Sequence, residues 1–522
     1  MLTNASTRAR RFWRAGVSLA VPAAVLVSTP ACTDLEETPV SAITPSNFYR
    51  NNDEILGGLA SVYAGLRATM WGYYNLSQVT TDENIVPTRG SDWFDNGRWL
   101  EIYRQRWSPT SASALDDIQG VWNDVFGGIS RANVVLGALE GVAVDNKAQV
   151  QAELRFLRAF YYYVLMDMFG GVPIVEDTKI EPRARASRAE VFSFIERELN
   201  AARTALPESW PASGYGRATR GAADALLANM YVNARVYTGT VTSAGLQPGT
   251  ARWQEAVTAA DRVLNSGRYT LATDYRAMFS ATNSGNPEHI WVVRHRAQDG
   301  LGLSIVMRGN HYNMGFSGDA PWNGFATLAE TYRAFDSLDV RRRVFLVGQQ
   351  FNVRTGEPVR DRAGALLIFT PEIRDPSNAA ENEGARLVKY TPDPNAVGGG
   401  HHGNDFVYFR LGEMIMIKAE ALNELGRTAE AIVELNRLRA RAFSPARPLP
   451  STLTQAQVRD AVYSERLFEF AGEAKRRQDM IRFGTYTGAR AFKTAGEPYR
   501  ILMPIPQTQI DVNPRLTQNA GY

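Results

Sequence analysis

Residues 151–169 constrain the fold more than any other stretch of this chain. Leu154, Leu157, Tyr161, Val164, Leu165 and Met168 recur at spacings of three and four, the period of one helical face. Gly170-Gly171 and then Pro173 follow, a common way for a helix to end. A helix this apolar must be covered by other elements. Candidates are close at hand. Ile55, Leu59, Val62 and Leu66 form one helical face, and Val121, Val125, Ile129, Ala132 and Leu136 another. Helix pairs recur at 219–237 with 251–266 and at 409–425 with 428–441.

The last pair reads as a tetratricopeptide-type hairpin. Small Ala419, Gly426 at the turn, and Ala431, Leu435 and Leu438 follow that repeat's alternation of small and large positions. Units of this kind stack and bury each other's faces. Between about 270 and 400 the helical period is lost. Ile290-Trp291-Val292-Val293 reads as a short strand. Gly, Asn and Pro are frequent, and long irregular segments tend to carry function. The predicted fold is mostly α: tetratricopeptide-like helical hairpins in an α-α superhelix, with a loop-rich region that carries a few short strands.

Cys32 is the only cysteine. Before it come Arg8, Arg10, Arg11 and Arg14, then the apolar run AGVSLAVPAAVLV, then Ser28-Thr29-Pro30-Ala31. A basic start, a short apolar run and a small residue before the cut make a secretory signal. The run is shorter than the roughly 20 residues that span a bilayer. A cysteine directly after it predicts a lipoprotein signal over 1–31, with Cys32 lipidated and polar 33–45 as a tether. No later stretch approaches a membrane-spanning helix. One cysteine leaves no internal disulfide.

The net charge is +3. Loss of the four signal arginines takes it to −1, which removes the electrostatic support for nucleic-acid binding. The sequence holds no HExxH, P-loop or Gly-x-Ser-x-Gly motif. No catalytic residue, cofactor or metal is assigned. His401-His402 follow a glycine run and read as a solvated loop, since adjacent histidines diverge. Glu465, Glu469 and Glu473 keep an i, i+4 rhythm among basic neighbours, which predicts helix-face ion pairs.

Aromatic rings on irregular loops, with amides and carboxylates between them, are the candidate ligand-binding features. The segment SDWFDNGRWLEIYRQRW, 91–107, places Trp93 and Trp99 on either side of an Asp95-Asn96-Gly97 turn. A second cluster, NHYNMGFSGDAPWN at 310–323, carries Tyr312, Trp322 and Asn323. The ligand-binding candidates are Trp93, Asn96, Trp99, Tyr312, Trp322 and Asn323. Trp71-Gly72-Tyr73-Tyr74 is a third group, which reads mainly as packing at a helix end.

Four ordered blocks resemble the SusD/RagB family of outer-membrane nutrient-binding lipoproteins. They are CTDLEETP at 32–39, AELRFLRAFYYYVLMDMFGGVPI at 152–174, LTQAQVRDAVYSERLFEFAGEAKRRQDMIR at 453–482, and the ending MPIPQTQIDVNPRLTQNAGY. Ala474 stands where the family usually has Gly, and Arg477 where an aromatic is common; both lie in a stretch that reads as helix. The resemblance implies one body over 46–522, with a scaffold at about 46–270 and 405–490. The ligand region would then be about 271–400 plus the loop 88–110. It implies a surface-exposed lipoprotein of the outer membrane that binds an oligosaccharide and does not cleave it. It also implies a SusC-like TonB-dependent barrel as partner. Peptide is the second ligand class; a surface glycosidase or a protein adaptor are the remaining readings.

Overall fold

The computed structural model describes residues 48–522; Cys32 and the 33–45 tether lie outside the described residues. Helix α1 (Asn52–Gly65) begins at Asn51, whose side chain accepts from the Glu54 N–H at 3.0 Å. Ile55, Leu59, Val62 and Leu66 are buried, as their spacing predicts. Short α2 (Gly72–Val79) and α3 (Arg98–Tyr103) precede the long α4 (Gln119–Ala138). The buried stripe of α4 runs Val121, Val125, Ile129, Ala132 and Val135, and Leu136 packs only at its margin.

Helix α5 (Lys147–Phe169) is the centre of the fold. The predicted single stripe is too narrow: every residue from Phe156 to Phe169 is buried. Helix α4 covers one side and α6 (Arg188–Ala205) another. Gly170 ends the helix at φ 74°, a conformation open to glycine.

The predicted helix at 219–237 is two, α7 (Arg220–Val232) and α8 (Ala234–Tyr237), because Asn233 leaves helical dihedrals. A small hairpin of β1 (Thr240–Thr242) and β2 (Gly245–Gln247) leads to α9 (Trp253–Leu264). Next come β3 (His289–Val293), α10 (Ala329–Ala334), and four two-residue strands: β4 (Phe345–Leu346), β5 (Gly348–Gln349), β6 (Ile368–Phe369) and β7 (Arg386–Leu387). Strand β8 (Phe406–Arg410) runs straight into α11 (Leu411–Glu424). Then follow α12 (Thr428–Ala442), α13 (Gln455–Phe470), α14 (Arg476–Arg482) and α15 (Gln507–Val512). Helix α7 packs on α9, α9 on α11, and α11 on both α12 and α13.

Strand β3, the predicted 290–293 strand plus His289, pairs antiparallel with β8. Trp291 meets Phe156 and Phe160 of α5 edge-on at 4.9 Å each and stacks on Tyr408 at 5.6 Å. The irregular segment is thus threaded through the helical core by two strands buried at every position.

Three of the family-like blocks meet at the end of α5. Arg477 of α14 pairs with Asp167 at 2.9 Å and donates to the Ile501 carbonyl at 2.6 Å. The Asn519 amide donates to the carbonyls of Phe169 and Met503. These blocks hold the fold together.

Three expectations are corrected here. Ala474 lies in the turn between α13 and α14, outside any helix, at φ 59°, where a Cβ is unfavourable. His402 is fully buried, and its Nδ1 accepts from the Asp393 N–H at 2.9 Å. Burial pushes its pKa down to about 4; His402 is thus part of the interior, while His401 beside it is half-buried. Glu465, Glu469 and Glu473 are buried and reach far along the chain. Arg341 pairs with Asp339, Glu465 and Glu469 at 2.7, 2.8 and 3.1 Å. Arg410 pairs with Glu288, Glu469 and Glu473 at 2.8, 2.7 and 2.8 Å. Arg441 joins Glu288 at 2.7 Å, and Lys389 joins Glu473 at 2.7 Å. This seam ties residues 288, 339–341 and 389 of the irregular segment to the C-terminal helices.

Candidate functional site

The two aromatic clusters read from the sequence come together. The loop before α3 turns through left-handed dihedrals at Trp93, Asp95, Asn96 and Gly97 (φ 63°, 40°, 54° and 81°). Such conformations cost energy in non-glycine residues and cluster at functional sites. The Trp93 Nε1–H donates to the Trp322 carbonyl at 2.8 Å, joining loop 91–97 to loop 310–323. A Cβ on Gly324 would lie 2.3 Å from the Trp93 ring, so glycine there lets the indole lie against the backbone. Trp93 remains partly open to solvent. Phe94 and Asn96 at the tip are exposed, Phe94 at 56%. Among the described residues the Asn96 side chain makes no hydrogen bond.

Trp322, half-buried, lies nearly parallel to Trp71, with ring centroids 6.1 Å apart and 21° between planes. Trp71 is 51% exposed. The sequence reads this residue mainly as helix-end packing; the tryptophan in Trp71-Gly72-Tyr73-Tyr74 is the one signal for a surface role. The support for Trp71 comes from Arg308, whose guanidinium sits 5.0 Å from the ring centroid. Arg308 is held in place by the Asn75 side chain and the Met70 carbonyl, both at 2.6 Å. It is buried and has no carboxylate partner among the described residues; burial pushes its pKa down to about 10. A cation against an indole is favourable, more so when desolvated, so Arg308 helps to hold the ring in place.

Tyr312 clamps the two loops. Its hydroxyl donates to Asp92 at 2.6 Å and Arg362 covers its ring at 4.5 Å. Burial and then the Asp92 hydrogen bond push its pKa up to about 12. Arg362 also reaches Asp92 at 3.2 Å, and Glu381 accepts from His311 at 3.0 Å.

Two candidates are not on this face. Trp99 is only 5% exposed. It sits on the inner side of α3, packs edge-on against Trp93 and Phe325 at 5.4 Å each, and donates to Asp95 at 2.6 Å. Asn323 is fully buried; its amide donates to the Glu381 carbonyl at 3.1 Å and accepts from Arg386 at 3.0 Å. Both hold the loops that carry Trp93 and Trp322. What remains is a partly open cluster: Trp71 stacked on Trp322, and Trp93 joined to Trp322 through its indole N–H, with Asn96 exposed on the loop that carries Trp93. A ring-shaped ligand with an apolar face and hydroxyl edges fits such a cluster.

Comparison with known proteins gives the affiliation. A sequence-family profile described as "SusD family" matches residues 329–499, and one described as "Starch-binding associating with outer membrane" matches 36–232. The chain belongs to the SusD/RagB family. A SusD-like protein of Formosa agariphila is 24% identical over 94% of this chain and 96% of its own. The starch-binding protein SusD of Bacteroides thetaiotaomicron is 26% identical over 86% and 85%. A laminarin-binding SusD-like protein superposes with a TM-score of 0.71 at 24% identity, covering 91% of this chain and all of its own. Surface glycan-binding protein A of B. thetaiotaomicron, solved with laminarihexaose, gives 0.69 at 20% identity over 90% and 99%. The mostly helical SusD-like fold is therefore shared.

Proposed function

We propose that this SusD/RagB-family chain is a surface glycan-binding lipoprotein of the outer membrane. It captures an oligosaccharide on the Trp71–Trp322–Trp93 face and passes it, uncleaved, to a SusC-like TonB-dependent barrel. One observation carries the binding step: two near-parallel indoles, one half-exposed and with a buried arginine against its ring. The names of the relatives support the ligand class, since they bind starch or laminarin. The profile description supports association with the outer membrane. Lipidation of Cys32, with 1–31 as signal, 33–45 as tether and 46–522 as body, supplies the anchor. Among the described residues no helix is long and apolar enough to cross a membrane, so passage of the ligand inward needs a separate channel.

The test is a calorimetric titration with laminarihexaose, maltohexaose and a mixed hexapeptide pool, with product analysis after prolonged incubation. Saturable binding of a hexasaccharide without cleavage is expected. Peptide binding without sugar binding would move the ligand class to peptide, and released shorter sugars would make the protein a hydrolase. Mild-detergent purification should recover a large β-barrel protein alongside it; recovery alone in several detergents would contradict the partner.

A further inference from the structure

A cavity of about 340 Å³ lies between α1, residues 215–217 and the end of β3, and no residue of the aromatic face lines it. One wall is apolar, made by Leu56, Leu59 and Ala60 of α1. Three arginines line it: Arg67, Arg217 and Arg294. Arg217 is neutralised by Glu153, which accepts from it at 2.9 Å, and it stacks on Trp210 at 3.7 Å. The other two differ. The Arg67 Nε–H donates to the backbone carbonyl of Arg294 at 3.0 Å, which brings the two residues together and leaves the rest of that guanidinium unengaged. The Arg294 stem lies on Gly216 and its guanidinium is 5.5 Å from the Tyr215 ring.

Among the described residues neither Arg67 nor Arg294 pairs with a carboxylate. The nearby acids Asp405 and Asp299 offset part of the arginines' charge at a distance but form no ion pair with either guanidinium. Asp405 accepts from the His295 N–H at 3.0 Å and from Ser284 at 2.6 Å, and Asp299 pairs with Arg296 at 3.0 Å. Two like charges held together beside an apolar wall are costly unless an anion joins them. Burial, and then the charge of Arg294, accordingly lower the pKa of Arg67. A volume of this size suits a small molecule, and guanidinium groups suit a carboxylate.

We propose that this cavity is a second binding site, for a small carboxylate with an apolar body. The carboxylate engages Arg67 and Arg294, and the body lies on Leu56, Leu59 and Ala60. The site shares no lining residue with the glycan face. The experiment titrates the full-length protein in mild detergent with phenylacetate and with phenylacetamide, its neutral counterpart. Phenylacetate should bind saturably, about tenfold more tightly than the amide, and weaken with added salt. Arg67→Gln and Arg294→Gln should each cost about tenfold in phenylacetate affinity. Ala60→Trp, an exposed helical position, should abolish binding by filling the cavity while both arginines remain. Circular dichroism identifies any variant that fails to fold. Equal affinity for acid and amide, unchanged affinity in folded Arg67→Gln and Arg294→Gln, or no saturable phenylacetate binding at millimolar concentration would each overturn the proposal.

Discussion

The ion seam and the aromatic face are both assembled from residues far apart in the chain, and they treat their side chains in opposite ways. At the seam, Glu288, Asp339, Glu465, Glu469 and Glu473 are all buried, and each meets at least one of Arg341, Arg410, Arg439, Arg441 and Lys389. Each of these carboxylates is taken up by cations of the same chain. At the face, Arg308 lies against Trp71, Gly324 against Trp93, Trp93 is bonded to the Trp322 carbonyl, and all three rings stay partly open. The difference separates residues that hold the structure from residues that offer a surface. Buried groups with their bonding completed stabilise; ordered groups with a bare side bind.

The largest expected effect attacks the seam. Arg410→Met removes the cation shared by Glu288, Glu469 and Glu473 and leaves buried carboxylates short of a partner. Loss of one member of such a set costs about 3–5 kcal/mol, measurable as a lower urea midpoint. An unchanged midpoint would break the contrast, since the seam would then contribute nothing.

Carboxylates with and without cations should also respond to pH in opposite directions. Although burial favours its neutral form, the Arg441, Arg410 and Arg341 charges hold the Glu469 carboxyl well below its usual range. That contribution is full above the unfolded pKa near 4.5 and is lost as pH falls through the folded value. Glu83 is the counter-example. It is buried, its Oε1 has no partner, and burial and then Asp82 push its pKa up to about 8. Its contribution is present below about 4.5 and declines as pH rises toward 8. Glu83→Gln should therefore match the parent at pH 4 and exceed it at pH 8.5 by about 1–3 kcal/mol. Equal stability at both pH values would show that Glu83 stays charged at no cost.

A smaller effect concerns the turn at the end of α13. Ala474→Gly should relieve the left-handed alanine and raise stability by about 0.5–1 kcal/mol, seen as an upward shift in Tm. A lower Tm would mean that packing of the buried methyl outweighs the dihedral cost.

The helices were legible in the sequence because period and stop signals are local: the 151–169 segment, its Gly170 end and the 290–293 strand all appear close to where their residues placed them. The seam was not. Glu465, Glu469 and Glu473 have the spacing of surface pairs, and only the fold brings residues 288, 341, 389 and 410 to them. At the face, the two loops were identified but their residues were partly mis-sorted. Trp99 and Trp93 flank one turn symmetrically in sequence, yet α3 starts directly after that turn and carries Trp99 inward. Trp71 looked like helix-end packing because its brace, Arg308, is remote in sequence. Asn323 resembled a loop amide, but Arg386 and the Glu381 carbonyl take up its side chain.

The central claim, that open braced rings bind while enclosed ones hold, is tested most directly by hexasaccharide affinity of the double variant Trp71→Ala with Trp322→Ala beside Asn323→Ala. Each stacked ring contributes on the order of 1 kcal/mol. The double variant should therefore bind whichever of laminarihexaose or maltohexaose the parent binds roughly 30-fold more weakly, with its melting transition nearly unchanged. Asn323→Ala should lower the melting temperature and, while folded, keep most of the affinity. Full affinity in the folded double variant would contradict the account.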